Sequence, residues 1–380
     1  MSNSSEKKVA IVHYWLTSMR GGERVLEALC ELYPSAVIFT NVLDENAISE
    51  KIKKHEIRTT FINKLPFSKK QYKKYLPLMP LALEQLDLSE FDLIISNESG
   101  PAKGVITRAD ALHICYCFSP MRYLWDFYPL YLKSSSKLVR FFMIPTFHYL
   151  RMWDVLSSNR ADSIVAISET VKCRIFRWWN KESTVIHPPV DLLRLKGKNQ
   201  ASTDVKLPFQ NFYLCLGALV EYKRVDIAVK ACNTLGRNLL VIGNGSELQS
   251  LRNIAGPTIK IMTNASDDIV REALKNCTAL IFPAEEDFGL VPLEAMAFNK
   301  PVLAFGRGGA LDTVTPQTGL LFYEQSEESL IDCLLDFEEL PKDHWKEEQF
   351  QANLSNFSME KFKQDFSHYI LNQWNRKFSV

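Results

Sequence analysis

Phe282-Pro283-Ala284-Glu285-Glu286-Asp287-Phe288-Gly289-Leu290-Val291-Pro292-Leu293-Glu294-Ala295-Met296-Ala297 decides how the rest of the chain is read. A β-run, Thr278 to Phe282, leads into an acidic turn; a glycine follows, and a helix begins with Pro292 in its first turn. Proline is tolerated there because the first N–H groups of a helix have no partner within it. The free N–H groups near Gly289 to Val291 and the positive end of the helix dipole suit a phosphate. Glu286 and Glu294 bracket that place with seven residues between them, one carboxylate on the turn and one on the helix. Both can accept hydrogen bonds from hydroxyls of one bound molecule. Diphosphate plus polyol describes a nucleotide sugar. A solvated loop followed by a helix-cap acid is the other reading of the same residues.

Working outward, 380 residues are too many for one small core and fit two domains of ordinary size. An apolar content of 46% and a charged content of 23% are those of a soluble globular enzyme. A net charge of +1 argues against a nucleic-acid partner. The first residues, Met1 to Lys8, run directly into a β-strand, so no signal peptide is expected. The most apolar window, near Leu138 to Leu150, is interrupted by Arg140, Pro145 and His148 and is too short to span a bilayer. Eight cysteines lie scattered, and only Cys115 and Cys117 are close, sharing one face of a strand. No zinc spacing is present, and a reduced cytoplasmic protein without a metal is the expectation.

Short apolar runs alternate with helix-period segments twice over. The runs 9–14, 36–40, 92–96, 111–117 and 163–168 read as strands in the first half. In the second half, 212–216, 238–242, 258–262, 278–282, 301–305 and 319–323 do the same. Such alternation implies α/β architecture, parallel sheets with helices on both faces. Two Rossmann-like domains facing across a cleft are expected, 1–188 and 189–358. His187-Pro188-Pro189-Val190-Asp191 and the polar stretch 196–204 mark the hinge. A final helix within 359–380, with Phe362, Phe366, Tyr369, Ile370 and Trp374 at helical spacing, is expected to return to the first domain.

Four further segments carry chemistry. Lys223 and Arg224 stand just before a helix, where two cations suit a departing diphosphate; a solvated basic turn is the alternative. Gly243-Asn244-Gly245 ends a strand and suits close backbone approach to a nucleotide. Gly21 and Gly22 do the same at the first strand-to-helix turn, unless they form an ordinary turn. The stretch 61–80 mixes lysines with aromatic and aliphatic groups, which fits either an anionic membrane surface or a core helix with a lysine face.

The Glu286-x7-Glu294 pattern resembles the signature of glycosyltransferase family 4, retaining enzymes of the GT-B fold. Glu285-Glu286-Asp287-Phe288-Gly289 with Gly308-Gly309-Ala310-Leu311 is similar to the family's bacterial mannosyltransferase-like branch. The resemblance implies a nucleotide in the second half, Glu294 on its ribose, and Glu286 with the backbone of Phe288, Gly289 and Leu290 on the donor sugar. Lys223 matches the family lysine that grips the diphosphate, while the usual arginine is Ala218 here, leaving Arg224 or another residue to supply the second charge. The run Cys115 to Asp126 is similar to the family's Cys-Tyr-x-His-Thr-Pro-x-Arg-Tyr-x-Trp-Asp, with Phe118 in place of the histidine thought to meet the sugar near O6. A phenyl ring there leaves a buried hydroxyl unpaired at about 1–3 kcal/mol. That departure allows a 6-deoxy donor, an imidazole from elsewhere, or a weak site. Ser119, Arg122 and Asp126 line or brace the cleft in this reading.

The family resemblance thus implies hexosyl transfer, best matched by GDP-mannose rather than a UDP-sugar, to a lipid-linked oligosaccharide of O-antigen, capsule or exopolysaccharide type. Catalysis would fall to Glu286, Lys223 and Arg224, with no cofactor, at the cytoplasmic face of the membrane. A sugar phosphorylase or sucrose-type synthase is the same-fold rival, and a catalytically silent scaffold of a glycan-assembly complex is the rival of another class.

Overall fold

Val9-Ala10-Ile11-Val12-His13 is buried at every position and forms β1, the first central strand. A run without polar alternation is what a strand covered on both faces requires. The computed structural model describes residues 7–98, 100–191, 206–341 and 343–378. The polar stretch 196–204 expected at the hinge lies outside the described residues. The chain divides into two compact units, 1–189 with 360–380, and 190–359.

In the first unit, β1 is joined by β2 (Val37–Thr40), β3 (Ile57–Thr59), β4 (Leu93–Glu98), β5 (Leu112–Cys117), β6 (Ser163–Ala166) and β7 (Thr184–Val185). They form one sheet in the order β3-β2-β1-β4-β5-β6-β7, parallel throughout. In the second unit, β8 (Tyr213–Leu216), β9 (Leu239–Ile242), β10 (Ile259–Met262), β11 (Leu280–Phe282), β12 (Val302–Phe305) and β13 (Gly319–Phe322) take the order β10-β9-β8-β11-β12-β13, again parallel. Both are doubly wound sheets of Rossmann type. Every run expected as a strand forms one, with ends shifted by no more than two residues. The short strands β3 and β7 were not expected.

The helix Met359–Phe378 belongs to the first unit. Phe362 and Phe366 are buried against the ring of Tyr116, with centroids 5.6 and 5.7 Å away, and Lys377 pairs with Asp162 at 2.8 Å. Lys363 adds an ion pair to Glu31. The aromatic contacts contribute about 0.5–1.5 kcal/mol each beyond their buried area.

A second anchor in this unit is ionic. Lys103 and Asp154 are both fully buried and bonded at 2.5 Å. The other oxygen of Asp154 accepts from the indole N–H groups of Trp125 at 2.9 Å and Trp179 at 2.8 Å. Deleting either charge would strand the other in the interior, at roughly 3–5 kcal/mol. This pin fixes the C-terminal half of the helix Lys137–Ser157, where Leu150, Trp153, Asp154 and Ser157 are buried. The stretch 61–80 folds into short turns whose Ile62 and Met79 are buried with Val42 and Ala82, and Phe61, Leu65, Tyr72, Tyr75 and Leu76 pack on them. Most of its large apolar groups therefore face inward and its lysines outward, although Phe67 and Leu78 stay exposed.

Of the cysteines, Cys30, Cys115, Cys117, Cys215, Cys232, Cys277 and Cys333 are buried, and Cys173 is exposed; all are free thiols.

Candidate active site

In the second unit the strand order reverses between β8 and β11, paired at Leu214 and Leu280. Ligands of such sheets bind beyond the strand ends at that reversal. The chain leaves β8 through Gly217, makes a short turn at Glu221–Lys223 and enters the helix Val225–Leu235. It leaves β11 through Pro283 to Phe288 and enters the helix Leu290–Met296, with Gly289 in the left-handed region at φ 82° as its cap. The side chains of Lys223 and Glu286 meet across this reversal as an ion pair, and both are largely sheltered. Two residues named separately from sequence are thus brought into one place. Glu294 is half-buried on the helix that follows.

The Glu286 turn is held from behind. The Gly309 N–H donates to the Glu286 carbonyl at 2.8 Å, and Gln325 donates to the Pro283 carbonyl at 2.8 Å. A methyl group on Gly308 or Gly309 would overlap the backbone of Glu286 or Phe288. Phe288 itself turns into the unit's interior, its ring 5.7 Å from that of Phe357. Leu290 is half-buried at the start of the helix.

Arg224 does not join Lys223. Its backbone is left-handed, at φ 50°, and its guanidinium donates to Asp226 at 3.0 and 3.4 Å. Asp226 also pairs with Lys230 at 3.3 Å. Burial raises the Asp226 carboxyl, and the Arg224 and Lys230 contacts outweigh it and hold the group below its ordinary range. Of the two adjacent cations expected at the diphosphate, Lys223 meets Glu286 and Arg224 is paired with the carboxylate two residues on. Gly243 and Gly245 also have a reason within the unit: a side chain on either would overlap the carbonyls of Gly217 or Leu219. The Leu219 N–H in turn donates to Asn244 O at 2.9 Å. Their smallness serves the packing of two loops.

In the first unit the reversal falls between β1 and β4. Gly21 and Gly22 begin the helix Gly21–Leu32, and the Arg20 N–H donates to Glu23 at 2.8 Å. The other oxygen of Glu23 lies 3.5 Å from the His13 ring, whose second nitrogen is 3.0 Å from the Asn97 amide. That amide also donates to the Gly22 carbonyl at 3.1 Å. Burial pushes the Glu23 carboxyl up, but His13 and the Arg20 N–H more than offset this and leave it below its usual value. The network of His13, Glu23 and Asn97 is fully buried and was not found from sequence; its only signal was polar residues at the ends of apolar strands. Asn97 Oδ1 keeps no hydrogen-bond partner among the described residues, and neither does the buried Ser119 Oγ.

Phe118 is half-buried and lies beside the glycine turn: a methyl on Gly22 would meet its ring at 3.4 Å and the Tyr14 hydroxyl at 2.7 Å. Asp126 and Arg122, expected to line or brace the cleft, make contacts within the first unit. Asp126 pairs with Arg174 at 2.8 Å and accepts from Trp178 at 3.2 Å, while Trp178 stacks on Trp125. The Arg122 guanidinium covers the ring of Phe127 at 3.8 Å. His113, at the far end of β5, is fully buried between Ser96 Oγ at 3.0 Å and the Arg160 carbonyl at 3.1 Å. Burial pushes its pKa down to about 4. Among the described residues no cluster of three or more His, Cys, Asp or Glu side chains could hold a metal ion. None of their helices is long and apolar enough to cross a membrane.

Comparison with known proteins sets the chain beside glycosyltransferases. Residues 201–353 match the family described as glycosyl transferases group 1. Over 375 residues the chain is 25% identical to alpha-1,3/1,6-mannosyltransferase ALG2 of Saccharomyces cerevisiae, covering 83% of this chain and 72% of the yeast protein. It is 26% identical over 217 residues to the GDP-mannose-dependent monoacylated alpha-(1-6)-phosphatidylinositol monomannoside mannosyltransferase of Corynebacterium glutamicum. That match covers 48% of this chain and 57% of the relative, less than two thirds of its length. Among solved structures, Anabaena HepE in complex with UDP has the same fold, with a TM-score of 0.67 at 16% identity, covering 96% of this chain and 100% of that one.

Proposed function

We infer, from the premise that this chain belongs to the group 1 glycosyl transferases of GT-B fold and family 4 type, that it is a retaining mannosyltransferase using GDP-mannose. The observation that carries the reading is the Lys223–Glu286 pair at the strand reversal of the second unit, with Glu294 on the adjoining helix. Lys223 is assigned the diphosphate, Glu286 and the Phe288-Gly289-Leu290 backbone the donor sugar, and Glu294 the ribose. Arg224 is left out of the grip because Asp226 holds it. In the first unit, the Gly21–Gly22 turn and Phe118 are assigned to donor recognition.

In this mechanism the acceptor hydroxyl attacks the anomeric carbon on the face that the diphosphate leaves. The new C–O bond forms as the bond to the β-phosphate oxygen breaks, and the hydroxyl proton passes to that departing phosphate. Lys223 stabilises the charge that grows on it, which is most effective in a sheltered site. No protein nucleophile is required. The proposed acceptor is a lipid-linked oligosaccharide of a surface glycan (O-antigen, capsule or exopolysaccharide) at the cytoplasmic face of the membrane. The mannosyltransferase names of both relatives support the sugar, and the GDP-mannose in one of them supports the base.

Phe118 favours a second reading, a 6-deoxy donor whose methyl packs on the ring. Burying a methyl gains about 0.8 kcal/mol, and sparing an unpaired hydroxyl avoids about 1–3 kcal/mol more, so a preference of roughly tenfold is expected. Initial rates with GDP-mannose and GDP-rhamnose, for the natural chain and Phe118→His, separate the two. Mannose preference unchanged by Phe118→His would remove Phe118 from sugar reading. Failure to turn over or hydrolyse any nucleotide sugar in a broad panel would favour the silent scaffold instead.

A further inference from the structure

The helix Lys137–Ser157 has two unlike halves. Its C-terminal half is fixed by the buried Asp154, whereas every residue from 136 to 142 is exposed. Leu138 and Phe141 are each 71% exposed and Phe142 62%, with Val139 and Ile144 also open. At about 100° per residue these five side chains cover an arc of about 220°. A helix that lies on one protein neighbour shows a narrower stripe, of about 100° or a little more. An arc this wide suits a helix end immersed in an apolar medium.

Charge points the same way. From Phe127 to Trp153 the sequence has no aspartate or glutamate and contains Lys133, Lys137, Arg140 and Arg151. Lys133 and Lys137 are exposed beside the apolar arc, and Arg140 folds back to the Leu132 carbonyl at 2.7 Å, closing the short helix Tyr128–Ser134 against it. Apolar groups flanked by cations, on a segment whose sequence has no acidic residue, match the boundary of a leaflet with anionic headgroups. The segment is too short to cross it.

We propose that the N-terminal half of the helix Lys137–Ser157, with Lys133 and Lys137 at its rim, is a docking surface for an anionic lipid bilayer. It replaces the stretch 61–80, whose apolar groups are largely taken up by a core, and it does not rest on the glycosyl-transfer reading.

Sedimentation of the full chain with phosphatidylcholine vesicles, with and without phosphatidylglycerol, tests it. Binding is expected to the anionic vesicles and to weaken in high salt. Phe141→Ser/Phe142→Ser should lower the partition by roughly tenfold or more. Lys133→Glu/Lys137→Glu should remove the preference for phosphatidylglycerol. Both pairs are exposed, so an unchanged melting temperature and circular dichroism spectrum would confirm that the variants fold. Three results overturn the proposal: no vesicle binding by the natural chain, equal binding by the phenylalanine variant, or a dimer in solution that the phenylalanine variant dissociates. The last would make the patch a contact between copies.

Discussion

Apart from the extra edge strand β7 the two sheets run through the same strand order, yet the side chains at their reversal points have opposite character. In the first unit, His13, Glu23 and Asn97 are sealed from solvent and bonded chiefly to one another and to the backbone of the glycine turn. In the second, Lys223 and Glu286 form an ion pair that retains some exposure. A buried network fixes geometry, because breaking any of its bonds would strand a further buried group, beyond the Asn97 Oδ1 that already lacks a partner among the described residues. A partly exposed pair can exchange one partner for a ligand at little cost. The same scaffold thus serves positioning at one end and binding at the other.

The sharpest way to break that contrast is to remove Glu286. Glu286→Ala should cut turnover by roughly 10²–10³-fold, while affinity for the free nucleoside diphosphate holds or rises because Lys223 is released. Calorimetric titration beside steady-state rates would separate the two, and a lost affinity would place Glu286 on the nucleotide instead.

A stability measurement comes next. The His113 ring has a lower pKa folded than unfolded, so the unfolded chain binds the extra proton between pH 6.5 and about 4. Stability should therefore be full above that window and decline as pH falls through it, by roughly 3 kcal/mol in all. His113→Gln should flatten the decline in denaturant melts taken across the window; an unaltered slope would show that another group carries it.

Lys223→Ala should weaken nucleoside diphosphate binding by about 1.5–3 kcal/mol, the worth of a charged hydrogen bond. Unchanged affinity would move the phosphate site elsewhere. The smallest effect is expected from Arg224→Ala, within about 0.5 kcal/mol on the same titration, since Asp226 already holds the guanidinium. A loss matching that of Lys223→Ala would mean that the arginine leaves Asp226 for the ligand.

Most of this fold could be read from the chain because a parallel sheet demands runs apolar at successive positions, as in 9–13 and 239–242. β3 and β7 escaped because three half-covered residues, and two of which one is exposed, show no period. At the site, Glu286 and Lys223 were each visible, but their meeting depends on β8 lying beside β11, a fact of sheet order rather than of spacing. The pairing of Arg224 with Asp226 is written locally, in the carboxylate two residues later, although the adjacent lysine makes a pair of cations look natural. His13 and Asn97 are 84 positions apart and meet only through strand register. Nothing in a single polar residue at a strand end distinguishes a network member from a solvated one.

The cysteines carry a practical consequence. Burial pushes the thiols of Cys30, Cys232, Cys277 and Cys333 up to about 12. Alkylating reagents attack the thiolate and need access to it, so these groups are doubly protected at neutral pH. Cys173, the exposed one among the described residues, gives the protein a single addressable atom. A fluorophore coupled there would ride on the helix Glu169–Trp179, whose Arg174 and Trp178 grip Asp126. The first unit could then be followed optically without removing any other cysteine.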